Sequence, residues 1–431
     1  MSEAVQTRPA FQAPARLGGK RVLLWIVTAA AMAVLPLLFK QSFALSLLSQ
    51  MGIAVIFALS YNMLLGQTGL LSFGHAVYFG LGAYVCAHTL NAVAAKTFAI
   101  PVTLLPLVGG FTGLAFGIVF GFVSTKRSGT PFAMISLGIA EMVAACALMF
   151  PGFFGGEGGI PTNRVVGEKF LGIGYGPQIQ VYYLIAAWCL VCMIAMFALT
   201  QTPLGRMANA VRDNPERAKF VGYNPTHVRF LMLCLASFFA GIAGGLATIH
   251  YEIVTAENVG VVVSGNVLIM SFVGGVGFFY GPIIGAVLVS FLQSALSTYT
   301  QAWLLYFGLF FVVMILFAPG GIASLISKHG PVLKGRLMGW LLPSYALAAL
   351  ATAVFLAGLV MLVEMMYHMK TSDAAEGFPF LGFVLEPWKP SAWLAGACVF
   401  AAGLALIALT IRPVRNAWQK ITVQLQARDS Q

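Results

Sequence analysis

Charge is the scarcest commodity in this sequence: 9% of its 431 residues are Asp, Glu, Lys or Arg, and 59% are apolar. Soluble domains carry roughly a quarter charged residues, so a water-soluble globule is excluded. Acid is scarcer than base, with 13 Asp and Glu against 24 Lys and Arg. The formal charge of +11 does not point to nucleic acid, because the basic residues sit in short loops between apolar runs and form no single basic face interleaved with aromatics. Catalytic loops are also missing. No GxxxxGK[ST] phosphate loop occurs, and the nearest stretch, RLGGKR at 16–21, lacks the first glycine. Neither G-x-S-x-G nor HExxH is present, so no enzyme, cofactor or metal site is expected. The six cysteines, at 86, 146, 189, 192, 234 and 398, all lie in apolar runs, where neither a disulfide framework nor a zinc cluster has a setting. Cys189 and Cys192 form a CxxC, which with no His or acidic partner nearby is read as space filling.

Long apolar runs are abundant. A hydrocarbon core of about 30 Å needs roughly 20 apolar residues per helix, and such runs appear near 22–39, 43–65, 69–90, 100–123, 131–150, 179–199, 229–250, 263–277, 281–297, 302–318, 342–366 and 392–411. The expected fold is an all-α polytopic transmembrane helix bundle of about twelve spans, with interrupted helices and a two-helix C-terminal extension. Its expected parts are a cytoplasmic tail at 1–21, a transmembrane domain at 22–326 with a cytoplasmic loop at 200–228, and an extension at 327–431 ending in a basic tail. With the N-terminus inside, only Lys40, Lys96, Arg164, Lys169, Lys370 and Lys389 of the 24 basic residues fall outside, which supports both cytoplasmic termini and an even span count. The first span is read as an uncleaved anchor, because its basic leader is long and Pro36 and Lys40 follow it.

Forty-seven glycines let helix backbones approach closely where lipid gives no hydrophobic drive to association. Gly113, Gly117 and Gly121 form one stripe, and Gly277, Gly281 and Gly285 another; packing is the expected role of both. A different pattern fills SYNMLLGQTGLLSFGHAVYFGLGAY at 60–84, where glycines interrupt an apolar run that also carries Asn62, Gln67, Ser72 and His75. Interrupted segments are tolerated at membrane depth where they line a cavity or lie against protein, and pairs of them mark solute paths in transporters. SGNVLIMSFVGGVGFFYGPIIGA at 264–286, with Ser271, is a loose counterpart. Among the spans, Glu141 is the one acid read as lying well inside a helix, where an unpaired carboxylate costs about 3 kcal/mol, so it is expected to be protonated, partnered or near water. His75 and Glu141 sit at unrelated positions, which fits hydrogen bonding better than a metal or proton-relay site. Two readings stand at this level: a channel driven by another polypeptide, and a self-sufficient ion-coupled carrier with Glu141 as its coupling acid. A noncatalytic scaffold is a third, hinted at by the extra C-terminal helices alone.

The loop TQTPLGRMANAVRDNPERAKFVGYNPTHVRF at 200–230 reads as a short amphipathic helix ended by Gly222 and Asn224-Pro225. Met207, Val211, Ala218, Phe220 and Val221 are expected to bury one face. Here the sequence resembles the LivM-type permease subunits of branched-chain (hydrophobic) amino acid ATP-binding-cassette transporters. The likeness covers residues 40–326 and rests on GQTGLLSFGHAVYFGLGAY at 66–84, PLGRMANAVRDNPERAKFVGYNP at 203–225, FFAGIAGGL at 238–246, FVGGVGFFYGPIIGA at 272–286 and APGGIASLI at 318–326. The resemblance implies that 203–225 is a coupling helix seated in an ATPase groove, with Gly205, Arg206, Arg212, Asp213, Asn214, Glu216 and Gly222 on the family's pattern. It implies a bacterial inner-membrane importer without its own ATPase site, assembled from two ATPase subunits, a homologous permease and a periplasmic substrate-binding protein. Relatives move branched-chain amino acids, urea, amides or aromatic acids. This loop departs from the pattern at Asn209, Phe220 and Tyr223, and the extension after 331 is not part of the usual permease. FFGGEGGIPTNR at 153–164 resembles the family's glycine-rich outer segment, with Glu157 and Arg164 read either as contacts for the binding protein or as a plain turn.

Overall fold

The computed structural model describes residues 19–97, 100–166, 174–335, 337–371, 378–380 and 383–429. Residues 1–18 of the basic leader, Lys169 and Arg336 lie outside them. In chain order the helices are α1 (Gly19–Leu38), α2 (Ser42–Thr68), α3 (His75–Ala94), α4 (Leu105–Ser124), α5 (Thr130–Met149), the single turn α6 (Pro151–Phe154), α7 (Gln178–Gln201), α8 (Pro203–Asp213), α9 (Pro215–Phe220), α10 (Pro225–Tyr251), α11 (Val261–Gly274), α12 (Gly281–Tyr299), α13 (Trp303–Phe317), α14 (Gly321–Lys334), α15 (Met338–Thr371) and α16 (Pro390–Asp429). Two short antiparallel pairs, β1 (Ile160–Pro161) with β2 (Ile253–Val254) and β3 (Phe378–Phe380) with β4 (Phe383–Leu385), complete the elements.

Every one of the twelve apolar runs is helical. Among the described residues, nine helices are long and apolar enough to cross a bilayer, and α13 with α14 make a tenth bent by 47°. The other two runs, Val22–Leu38 and Val261–Gly274, are shorter. At about 1.5 Å per residue α11 reaches roughly two thirds of a hydrocarbon core, so it stops part way unless its flanking loops dip into the membrane with it. The chain divides into two compact units, Met1–Ala295 with Phe311–Ala323, and Leu296–Phe310 with Ser324–Gln431.

In the first unit α10 and α3 are the innermost helices: 78% and 72% of their apolar windows are buried within the chain. Glycine makes this density possible. A Cβ on Gly241 would meet the Gly109 backbone of α4, one on Gly244 the Phe79 backbone of α3, and one on Gly82 both Gly241 and Gly109 at 2.8–2.9 Å. The stripe Gly113, Gly117, Gly121 faces α10, where its neighbours are Ser237, Gly241, Cys234 and Leu233. Of the second stripe, Gly281 and Gly285 press on the Gly274–Gly275 backbone, whereas a Cβ on Gly277 would have nothing within 4 Å, so that residue packs nothing. Thr248 Oγ1 donates to Ala83 O at 3.0 Å and ties α10 to α3. Toward α5, Val77, Leu81, Tyr84 and Ala87 of α3 meet Ala140, Val143 and Ala147 in one apolar cluster that also takes in Phe154, Ile160, Val254 and Val259. Tyr182 and Tyr183 of α7 donate to the Met32 and Ala33 carbonyls of α1 at 2.7 and 3.2 Å.

In the second unit α15 and α16 form a hairpin with Gly358 against the Phe400 backbone and Gly396 against the Leu362 side chain. At the start of α15, Val332, Leu337, Leu341, Ala417 and Ile421 make a small core. Beside it Tyr345 OH receives Trp418 Nε1 at 3.0 Å and shares 2.8 Å with His329 Nε2.

Candidate functional site

The segment after α7 is built on a threefold sequence device. Thr202-Pro203, Asn214-Pro215 and Asn224-Pro225 each place a capping side chain before a proline at the first helical position, where the missing N–H costs nothing. Thr202 Oγ1 accepts from Gly205 N at 3.3 Å. Asn214 Oδ1 accepts from Arg217 N at 2.9 Å, and Asn224 Oδ1 from Thr226 N and His227 N at 3.0 and 3.4 Å. The expected single amphipathic helix is therefore two short ones, α8 and α9, with every restart capped. Gly205 is buried because a Cβ there would meet Thr200 at the end of α7 at 2.8 Å.

The apolar residues of this segment divide. Ala208, Val211 and Ala218 are buried against the bundle, with α8 packing on α2, α7 and α10. Phe220 and Val221 point the other way, 89% and 69% exposed, and Tyr223 is 44% exposed. The expectation that Phe220 and Val221 share the buried face is corrected by this geometry. Gly222 between them has φ +90°, a conformation an L side chain rarely adopts, with open space where a Cβ would stand. Arg206, Asp213, Asn214 and Glu216 are exposed along the same segment.

Arg212 behaves differently from the other polar residues. Its Nη1 donates to Gly66 O in the last turn of α2, while its Nε and Nη2 donate to Asp213 Oδ1 at 3.3 and 3.2 Å. α2 ends two residues later. Gly69 takes φ +71° and its N–H returns to Leu65 O at 3.1 Å, an αL helix ending, with Leu70 N on Leu64 O at 3.1 Å beside it. The run 69–74 then turns the chain into α3. Three serines from three elements satisfy the amides there: Phe73 N on Ser136 Oγ at 3.0 Å, Gly74 N on Ser72 Oγ at 3.3 Å, and Ala76 N on Ser264 Oγ at 3.0 Å. The interrupted segment at 60–84 is thus two spans joined by a serine-tied turn.

Around this turn lies a set of buried polar atoms without hydrogen-bond partners: Tyr61 OH, Asn62 Oδ1, Gln67 Oε1, His75 Nδ1 and Ser271 Oγ. His75 is fully buried. Its ring stacks on Phe57 with centroids 5.4 Å apart and meets Tyr61 and Tyr78 edge-on. Ser60 Oγ spends its proton on Phe57 O at 2.7 Å, so it accepts from His75 Nε2 at 2.9 Å and leaves Nδ1 as a bare acceptor. A buried polar atom without a partner costs about 1–3 kcal/mol, so each of these positions favours a water or a polar group beside it. The sequence picked out Asn62, Gln67, Ser72, His75 and Ser271; it missed Tyr61, between Ser60 and Asn62, because its aromatic ring reads as core. Ser72 is buried but spends its oxygen on Gly74 N.

Glu141 is exposed on the outward face of α5, while Ser136, Ala140 and Val143 face inward. The acid that the sequence passed over is Glu364 of α15, which accepts from Thr300 Oγ1 at 2.7 Å and Tyr306 OH at 3.0 Å. The helix runs on to Thr371, past the expected end at 366, so Glu364 lies well inside the helix rather than beside its end. Arg164 of the outer segment is a brace: its side chain donates to the Tyr175, His250 and Gly176 carbonyls and to Gln178 Oε1, while its amide donates to Glu252 Oε1 at 3.0 Å. A groove of about 650 Å³ between α1, α2, α7 and α12, lined by Trp25, Met32, Met51, Met193 and Ile283, is apolar and holds none of the orphaned atoms. Among the described residues no group of three or more His, Cys, Asp or Glu is arranged to hold a metal ion.

The chain is 27% identical over 308 residues to the high-affinity branched-chain amino acid transport system permease protein LivM of Salmonella typhimurium, covering 67% of this chain and 71% of that one. The probable branched-chain amino acid transport permease protein LivM of Methanocaldococcus jannaschii is 23% identical over 330 residues, 67% of this chain and 95% of its own. The ribose import permease protein RbsC of Haemophilus influenzae is 25% identical over 292 residues, 64% and 84% of the two chains. No solved structure matches the chain. The family described as branched-chain amino acid transport system / permease component matches residues 43–319, and the chain, a multi-pass membrane protein by its helices, belongs to that family.

Proposed function

We propose that this chain is the permease subunit of an importer for branched-chain amino acids, working in the bacterial inner membrane with its N-terminus in the cytoplasm. Residues 203–225 meet a pair of ATPase subunits, a second homologous permease completes the path, and a periplasmic binding protein delivers solute. The chain itself hydrolyses nothing; the sequence carries no phosphate loop. The observation that supports this reading most is the divided face of α8 and α9. One side is bedded in the bundle, and the other presents Phe220, Val221 and Tyr223 around a left-handed glycine. An aromatic and aliphatic knob on an otherwise charged loop is the chemistry of an anchor that fills a partner's pocket.

The path is assigned to the region of the serine-tied turn. The orphaned acceptors Asn62 Oδ1, Gln67 Oε1 and His75 Nδ1 offer hydrogen bonds to an ammonium group without an acid that would trap it. Glu141, exposed on α5, is assigned to a face that the second permease covers, since a carboxylate at that depth is costly in lipid. The names of the LivM relatives favour leucine, isoleucine and valine over the ribose of the RbsC relative.

Reconstitution tests the reading. Liposomes holding this chain, its partner permease and the ATPases should take up radiolabelled leucine only with ATP and the binding protein. Uptake by this chain alone, driven by an ion gradient, would favour the carrier reading with Glu141 as the coupling acid. ATP-driven uptake of urea or an aromatic acid with no leucine uptake would keep the importer and replace its cargo.

A further inference from the structure

We propose that Arg212 is a latch within this chain, a positioning residue that carries displacement of the coupling segment into the serine-tied turn, rather than one of the contacts to the ATPase. The proposal rests on the importer reading above. The Arg212 side chain reaches back from α8 to a transmembrane helix, at Gly66 O. That carbonyl belongs to the last turn of α2, where unsatisfied carbonyls and the helix dipole favour a cation.

The surroundings are shaped for this side chain. Asp213 holds the guanidinium from the solvent side through both Nε and Nη2, with an ion-pair distance of 3.2 Å. Gly69, immediately after α2, lies alongside it: a Cβ there would stand 3.1 Å from Arg212 Cγ and 3.9 Å from its Cβ. The glycine therefore gives the left-handed cap and also the room in which the arginine lies. A Cβ on Gly66 would in turn meet the Asn62 side chain and, at 2.7 Å, Val276 O. The same turn of helix is touched from below by Arg212, from within by Asn62 and from the side by the loop after α11.

A connected route follows: Arg212 to Gly66, then Gly69–Gly74 and the first turn of α3, where Phe73 N is tied to Ser136 of α5 and Ala76 N to Ser264 of α11. A shift of α8 that pulls on Gly66 O moves the base of this turn, and with it Gln67, Ser72 and His75. Apolar contacts between α8 and the bundle hold the helix against it without fixing any one atom to another. The charge-assisted bond is directional and ties α8 to one carbonyl of α2, so it carries a displacement of either partner to the other.

The test uses the complete complex with both ATPases, in a Cys398→Ser background that removes the exposed native cysteine. Ser72→Cys is introduced and its alkylation rate by a small maleimide is compared without nucleotide and with a non-hydrolysable ATP analogue. With Arg212 intact the two rates should differ by about tenfold; with Arg212→Gln the difference should fall below about twofold while the ATPases still co-purify. Arg212→Lys, which keeps the charge but loses the fork, should give an intermediate response and serves also if the glutamine variant does not insert. Loss of the ATPases from either variant would make Arg212 an intersubunit contact and overturn the latch. An unchanged nucleotide response with intact assembly would overturn it equally. Failure of the ATPases to associate when Arg212 is intact would instead sink the importer reading itself.

Discussion

At the residue scale, the loop chemistry of this protein turns on one backbone conformation. Gly222 has φ +90° with empty space around the position of a Cβ, so a substitution there is opposed by the backbone alone. Gly222→Val should cost about 1–3 kcal/mol locally, because a β-branched side chain is an outlier at positive φ, and should displace Phe220 and Val221 from their outward pose. The expected phenotype is a subunit that inserts normally and supports ATP hydrolysis while uptake falls severalfold; wild-type uptake would remove Gly222 from the coupling segment. Residues of this kind were legible in the sequence, since a Gly followed by Asn-Pro announces a helix end whatever the tertiary context. Arg212 was legible as a loop cation but not as a bond to Gly66, because nothing in the spacing of two residues 146 apart records which carbonyl a long side chain will find. Tyr61 escaped for the opposite reason: in an apolar run an aromatic reads as core, and its unpaired hydroxyl emerges only once its neighbours are placed.

At the element scale, the helices are apolar around their whole circumference, so burial cannot be read from an amphipathic stripe. Glycine supplies the missing information. Gly113, Gly117 and Gly121 were recognisable as a packing face at four-residue spacing, and they do pack on α10. Gly241 is the most demanding position in that seam, pressed on the Gly109 carbonyl and the Gly110 Cα. Gly241→Leu is expected to separate α4 from α10 and to lower the melting temperature of the purified protein in detergent; overpacking alone costs about 1–3 kcal/mol, and more where the obstructing atoms are backbone. A variant that melts with the wild type would mean that this seam is loosely packed. Spacing misled at Gly277, which lies in the turn before α12 and faces open space. Boundaries were the weaker part of the sequence reading: α15 outruns its expected end at 366, so Glu364, which read as lying at a helix end, is well inside the helix. Likewise α16 continues for 40 residues, about twice the length a hydrocarbon core requires, and carries Arg412, Arg415 and Lys420 on one unbroken helix.

At the scale of the whole molecule, the number of apolar helices was readable from composition because a bilayer imposes a length on each span, and each of the twelve runs is a helix. What composition could not reveal was which of them fall short: α11 has 14 residues and enters the bundle through Ser264. Nor could it separate the inner helices from the outer ones. α3 and α10 are enclosed by their own chain, whereas only 17% of the apolar windows of α15 and α16 is. Within the first unit, helices α2 and α3 carry buried polar atoms without partners, and the capped segment α8–α9 leaves Phe220 exposed, the residue proposed to anchor an ATPase subunit.

The most direct test is photocrosslinking from position 220, with a benzophenone amino acid replacing Phe220 in the chain co-expressed with its ATPases and partner permease. The account predicts an adduct between this chain and an ATPase subunit, suppressed by Gly222→Val, which turns the anchor away. Adducts with lipid or detergent alone, under conditions where the four-subunit complex is intact, would contradict it.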